Sequence, residues 1–247
     1  RQHGRRHGVV FFVGLTGVAS QLIQITLPDG TRKQVPAGCT VREALTPEGG
    51  RLDAKVLAAK INGEPMDLSR PLEQDATIEP LTFESAEGRE VYRHSSTHIM
   101  AQAVKEVFPT AQLTIGPALD DGFYYDFAFD RPFTPEDLEK IEARAIEILK
   151  RGLTVTRSEL SKQDAIKFFQ ERGEGYKVEL INSFDDASPI SLYRQGEFVD
   201  LCRGPHLPTT GYVGAFKLLS TGGAYWRGDE RNPMLQRVYG TSCPTKK

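Results

Sequence analysis

Cysteine is scarce in this chain: Cys39, Cys202 and Cys243 are the only three in 247 residues. An odd, widely spaced set favours a reducing compartment over a disulfide framework, with the cytoplasm as the expected setting. Long apolar runs are missing too. The stretch from Val9 to Leu15 is far shorter than the roughly 20 residues a membrane-spanning helix needs, so no membrane partner is expected. Nor is there an excess of charge of one sign. With a formal net charge of -2, any nucleic-acid partner must be met by a local basic patch, because the chain as a whole offers no bulk attraction to phosphate. No internal repeat or low-complexity tract is present. The remaining composition, 39% hydrophobic and 26% charged, is enough for one large or two modest domains with real cores.

Residues 1–20 combine an acid-free Arg/His run with that short apolar stretch, a composition shared with signal and transit peptides, and read as a disordered extension or a fragment boundary. From Gln21, "QLIQITLPDGTRKQVPAG" alternates apolar and polar residues on either side of Asp29-Gly30, which predicts a β-hairpin. Thr40 and Glu43 in "TVREAL" form a capping-box pattern, and "VLAAKINGEPM" and "ATIEPLTF" read as further strands. A small α+β domain over residues 21–83 is the expectation.

The polar segment "ESAEGRE" reads as a boundary, and residues 84–247 as a second, larger α+β domain with an antiparallel sheet and packed helices. Its first helix is predicted from about Arg93 to Phe108. A second is marked by Thr134, Pro135, Asp137 and a terminal Gly152, and a third by Ser161 through Gly173. A hairpin is expected around Asp121-Gly122, strands in "YKVELI", "ISLYRQGEFVDLC" and "AFKLLS", and a glycine-rich turn in "STGGAYWRGD".

Histidine is rare, and its placement is informative. Apart from His3 and His7, the chain has only His94 and His98, four apart on a predicted helix, and His206, four residues after Cys202 across a Gly204-Pro205 turn. These four supply the number and kind of donors that tetrahedral zinc takes. They equally suit activation of a water, since imidazole can act as a base without a metal. Either alternative makes this a site.

"RHSSTHIMAQAV", "IGPALDDGFYYDF", "YKVELI", "VDLCRGPH" and "GGAYWRGD...MLQRVYGT" together resemble, in order, the editing domain of bacterial-type threonyl-tRNA synthetases. The segment from Gln21 to about Phe83 resembles the TGS domain, a β-grasp module that precedes it in the same family. The resemblance implies hydrolysis of serine mischarged onto tRNA(Thr). Rejecting a substrate that lacks one methyl gains only about 1–3 kcal/mol in a binding pocket, so a second sieve is needed.

By the same resemblance His94, His98, Cys202 and His206 line the editing pocket. Lys177 takes part in hydrolysis, Asp200 recognises the substrate, and Gly116 and Tyr125 form pocket wall, the phenol being placed to contact the terminal adenosine. The implied partner is the acceptor end of tRNA(Thr) carrying serine. The implied editing chemistry uses ordered water and no metal, zinc at the His/Cys cluster being the alternative left open by the spacing. In the full synthetase, the segment after Tyr239 leads on to an aminoacylation domain, with its own ATP and zinc, and to homodimer contacts. This chain ends in "SCPTKK", so the expectation is an N-terminal fragment or a freestanding editing protein. The competing classes are a non-catalytic TGS-containing RNA- or ligand-binding module and a structural zinc domain.

Overall fold

A computed structural model describes residues 21–185 and 189–245; the reading of residues 1–20 lies outside them. Strands β1 (Leu22–Thr26) and β2 (Arg32–Pro36) form the expected hairpin. Asp29 Oδ1 accepts the Thr31 N–H at 2.8 Å in its turn. The short helix α1 (Val41–Leu45) carries the complete capping box, Thr40 and Glu43 each accepting the other's backbone N–H. Strands β3 (Ala58–Ile61), β4 (Glu64–Met66) and β5 (Ala76–Leu81) complete a mixed five-stranded sheet of order β2-β1-β5-β3-β4, with β1 and β5 parallel. Alternation in β1 places Ile23 and Ile25 in a core with Val41, Ala44 and Ile78, while Leu22 and Gln24 face outward.

Helix α2 runs over Ala86–Val107, a full two turns earlier than predicted. The "ESAEGRE" segment is its cap and first turn, with Ser85 Oγ accepting the Gly88 N–H at 3.1 Å. A capped, part-exposed first turn carries no apolar periodicity, which is why it reads as a linker. No gap separates the two units there. Leu57, Ala58 and Leu81 of the first unit share one hydrophobic cluster with Val91 and Tyr92 of α2.

The remaining elements are β6 (Gln112–Leu113), β7 (Phe123–Ala128), α3 (Pro135–Arg151), β8 (Val155–Leu160), α4 (Lys162–Gln170), α5 (Gly175–Asn182), β9 (Ile190–Gln195), β10 (Phe198–Leu201), β11 (Ala215–Tyr225) and β12 (Met234–Cys243). An antiparallel sheet of order β11-β12-β7-β6 packs against α2 and α3. A second, β10-β9-β8, shares a smaller core with α4 and α5 around Phe169, Ile181 and Leu192. Helix α3 starts and stops where its signals put it, from the Thr134 cap to Gly152 in the left-handed region.

Two predictions fail. "YKVELI" is helix α5, not a strand: Tyr176, Val178 and Leu180 alternate, but the residues the fold buries are Lys177 and Ile181, one helical turn apart. The residue just before α5, Glu174, anchors it, accepting the Leu113 N–H at 2.8 Å and pairing with Lys105 at 2.8 Å. Of the glycines in "STGGAYWRGD", Gly222 and Gly223 lie within β11 rather than in a turn; the chain turns only after Tyr225, where Gly228 sits. Strands β8 and β12 were not foreseen as strands at all.

Candidate active site

Four elements converge between the two sheets of the larger unit. Helix α2 presents His94 and His98 from one face, their rings 5.3 Å apart. Strand β10 brings Asp200 and leads into the turn that carries Cys202 and His206. Helix α5 contributes Lys177 and β7 contributes Tyr125. With the His94, His98, Cys202, Asp200, Lys177 and Tyr125 side chains among its walls, a cleft of about 670 Å³ opens here, within the usual range for a small-ligand site.

The imidazoles and the thiol form one contact group. Cys202 Sγ lies 2.9 Å from His94 Nε2 and 3.1 Å from His206 Nε2, and accepts the Gly204 N–H at 3.2 Å. The Ser95 hydroxyl donates to the Val91 carbonyl at 2.8 Å, so it can only accept from His206 Nδ1, 3.2 Å away. That makes Nδ1 the protonated nitrogen of His206 and leaves Nε2 to accept from the thiol. Burial pulls the histidines down: His94 to about 4, His98 to about 3, and His206 well below its usual value. For His94 and His98 the negative charge of Asp200 opposes the shift without cancelling it. Burial pushes the Cys202 thiol up to about 12. The cluster is therefore neutral at pH 7, with a protonated thiol.

Beside it sits a buried ionic triangle. Lys177 Nζ donates to Asp200 Oδ1 at 2.6 Å and to the Tyr125 hydroxyl at 2.9 Å, and that hydroxyl donates to Asp200 Oδ2 at 2.7 Å. Asp200 also accepts the Leu201 N–H at 2.8 Å. Burial raises the Asp200 carboxyl, but Lys177, His98 and the Tyr125 hydrogen bond more than offset it and hold it below the usual carboxylate range. Tyr125 is driven well above its usual value by burial and then by Asp200.

All eight residues singled out in the sequence lie in this region, but three stand differently from expectation. His206 is not on the cleft; it backs the cluster and lines a separate groove of about 360 Å³ with Asp67 and Tyr193. The Tyr125 phenol is turned inward onto Asp200 and Lys177, with the residue 1% exposed, and so is not placed to reach an adenosine. Gly116 leaves space for Tyr125 itself, since a Cβ there would stand 2.2 Å from the ring. The sequence reading missed Ser95, Asp67 and Gln195. Gln195 Nε2 ties β9 to α2 through the His98 carbonyl at 3.1 Å and Gln102 at 2.9 Å. Ser95 lies inside the quoted "RHSSTH" stretch and Gln195 inside "ISLYRQGEFVDLC".

The four donor atoms of His94, His98, Cys202 and His206 all lie within 4.8 Å of one another, a candidate metal cluster. Its imidazole and thiol donors suit zinc, and Ser95 orients His206 as an outer partner of a ligand would. The same atoms also satisfy one another as hydrogen bonds.

Comparison with known proteins adds kinship to this geometry. Residues 23–82 match the TGS domain, and residues 190–239 match the family described as "Threonyl and Alanyl tRNA synthetase second additional domain". The threonine–tRNA ligase of Symbiobacterium thermophilum is 54% identical over 228 residues, covering 92% of this chain and 35% of that protein. Those of Citrifermentans bemidjiense and Acetivibrio thermocellus are 54% and 52% identical over 225 residues, each covering 91% of this chain and 35% of the relative.

The chain matches the N-terminal region of bacterial threonine–tRNA ligases. It spans about a third of the length of these ligases. The second-additional-domain match takes in Asp200, Cys202 and His206. His94, His98, Lys177 and Tyr125 lie outside that matched segment, and the fold brings them to it. The mixed five-stranded sheet coincides with the TGS match.

Proposed function

We propose that the cleft hydrolyses the ester joining serine to the 3′-terminal ribose of tRNA(Thr), removing serine mischarged in place of threonine. The observation that carries this reading is the buried Lys177–Asp200 pair standing against neutral imidazoles on one cleft, in a chain matching the N-terminal region of threonine–tRNA ligases. Lys177 has three N–H donors and spends two, on Asp200 and Tyr125. The third serves a water or the oxyanion that develops as the ester carbonyl becomes tetrahedral, and a preorganised ammonium in a water-poor site is effective there. His94 and His98, unprotonated at pH 7, accept a proton from the attacking water. Asp200 Oδ2 accepts from Tyr125 and lies 3.9 Å from His98 Nε2, so it keeps acceptor capacity for the α-ammonium of the aminoacyl group.

Incubation with Ser-tRNA(Thr) and Thr-tRNA(Thr) tests this: deacylation of the first and sparing of the second is the expected result, and equal rates on both overturn it. A cytoplasmic setting belongs to the same reading. It is supported by three free cysteines and by the lack, among the described residues, of any helix long and apolar enough to cross a membrane.

A second reading is favoured by the convergence of four donors within 4.8 Å, namely that His94, His98, Cys202 and His206 hold a zinc ion. Metal analysis after purification without chelator, and activity after chelation, decides between the two. One equivalent of zinc whose removal abolishes deacylation establishes the metal site.

A further inference from the structure

The turn bearing Cys202 and His206 is held from outside by a residue of the first, TGS-matching unit. That residue is Asp67, immediately after β4 and 7% exposed. Its Oδ1 accepts the His206 N–H at 2.8 Å, and its Oδ2 accepts the Tyr193 hydroxyl at 2.6 Å. Tyr193, in β9 and 3% exposed, sets its ring 4.4 Å from that of His206, with the two planes tilted by 52°. Its hydroxyl also lies against the turn, so close that a Cβ at Gly204, whose φ is +75°, would stand 1.9 Å from it. One carboxylate thus fixes the turn both directly, through a backbone N–H, and through the tyrosine that abuts Gly204.

The loop that carries Asp67 is itself anchored. The Arg42 N–H donates to the Leu68 carbonyl, the Val41 N–H to the Arg70 carbonyl, and the Arg70 N–H to the Asp67 carbonyl, at 2.8, 2.9 and 3.1 Å. Docking of the two units does not need this carboxylate. They already share the Leu57, Ala58, Leu81 and Val91 core, and Lys60 pairs with Glu87 of α2 at 2.5 Å. A nearly buried acid is costly unless its hydrogen bonds are used, and of this one's two oxygens one is used on the turn and the other on the tyrosine that abuts it.

We propose that Asp67 is a positioning residue for the editing site: the TGS-matching unit sets the place of Cys202 and His206, and through them of the His94 side of the cleft. The effect on catalysis rests on the deacylation reading above, whereas the effect on the turn does not.

The test uses the whole chain and four variants: Asp67→Ala, Asp67→Asn, Tyr193→Phe and Lys60→Ala. Single-turnover deacylation of Ser-tRNA(Thr) is followed against enzyme concentration. Asp67→Ala is expected to lower the saturating rate by about ten- to a hundredfold, the usual loss for an outer positioning partner, with half-saturation moved less than about twofold. Asp67→Asn keeps an oxygen for the His206 N–H and offers an amide to the tyrosine oxygen, so it should return to within about threefold of the parent. Tyr193→Phe, losing one of the two contacts, should fall between, which keeps the inference testable if Asp67→Ala does not fold. Lys60→Ala, which loosens docking without touching the turn, should behave as the parent does. A parent-like rate in Asp67→Ala, or an equal loss in Lys60→Ala, overturns the inference.

A second readout needs no hydrolysis. In a background with Cys39→Ser and Cys243→Ser, the alkylation rate of Cys202 should rise severalfold in Asp67→Ala and stay unchanged in Lys60→Ala. A parent chain that spares Ser-tRNA(Thr) defeats the functional reading alone, and the alkylation rates then decide the placement of the turn. Unchanged alkylation in Asp67→Ala overturns it.

Discussion

Lys177 Nζ and Asp200 Oδ1 meet at 2.6 Å, from α5 and β10, with their side chains 3% and 1% exposed. Each is the other's counter-ion in a place where neither could stay charged alone. Removing one partner of such a pair leaves the other desolvated and uncompensated.

Lys177→Met is therefore expected to destabilise the fold by about 3–5 kcal/mol, and combining it with Asp200→Asn to recover much of that loss. Both variants should deacylate Ser-tRNA(Thr) about a hundredfold or more slower than the parent, as the oxyanion donor is gone from each. Urea unfolding and single-turnover kinetics on the same preparations check the two halves separately. Parent-like stability in Lys177→Met would show that the ion pair does not govern the fold.

The buried imidazoles make stability depend on pH in a defined direction. His94 and His98 are depressed to about 4 and about 3 from an unfolded value near 6.5, so between those limits the unfolded chain binds more protons than the folded one. Stability is then full above about pH 6.5 and falls as the pH drops through this window. Asp200, held below its usual range, adds a loss of the same sign at still lower pH. Urea midpoints measured from pH 7 to pH 4 should decline, and His98→Gln should flatten the decline. An unchanged slope in that variant would place the titration elsewhere.

Cys202, with its thiol pushed up to about 12, carries almost no thiolate at pH 7 and is a poor nucleophile. Cys202→Ser should keep deacylation within about tenfold of the parent, because a hydroxyl still donates to His206 Nε2. A folded but inactive Cys202→Ser protein, with an acyl-enzyme trapped in the parent, would replace the water route by a covalent one.

Gly116→Ala would place a methyl 2.2 Å from the Tyr125 ring, which is almost wholly enclosed. The ring must shift, and its hydrogen bond to Asp200 with it, so a stability loss of about 1–3 kcal/mol is expected together with slower deacylation. Thermal unfolding and the deacylation rate should move together; a loss of stability with an intact rate would show that Tyr125 serves packing alone.

The sequence by itself determined the local events: the Asp29-Gly30 hairpin, the capping boxes at Thr40 and Thr134, the stop at Gly152, and a four-member His/Cys set too concentrated to be accidental. Each depends on residues within a few positions of one another, where backbone geometry and short side-chain hydrogen bonds decide the outcome. Tertiary structure alone decided that Lys177 sits on a helix and is buried, since the alternation around it mimics a strand until Asp200 supplies the charge that lets a lysine face inward. It also decided that His206 backs the cleft instead of lining it. Asp67 left no signal in the sequence, for its hydrogen bonds cross 126 residues to Tyr193 and 139 to His206. Pairings of that reach are fixed by how the two units pack and by where a buried acceptor can find a donor, and no local pattern encodes either.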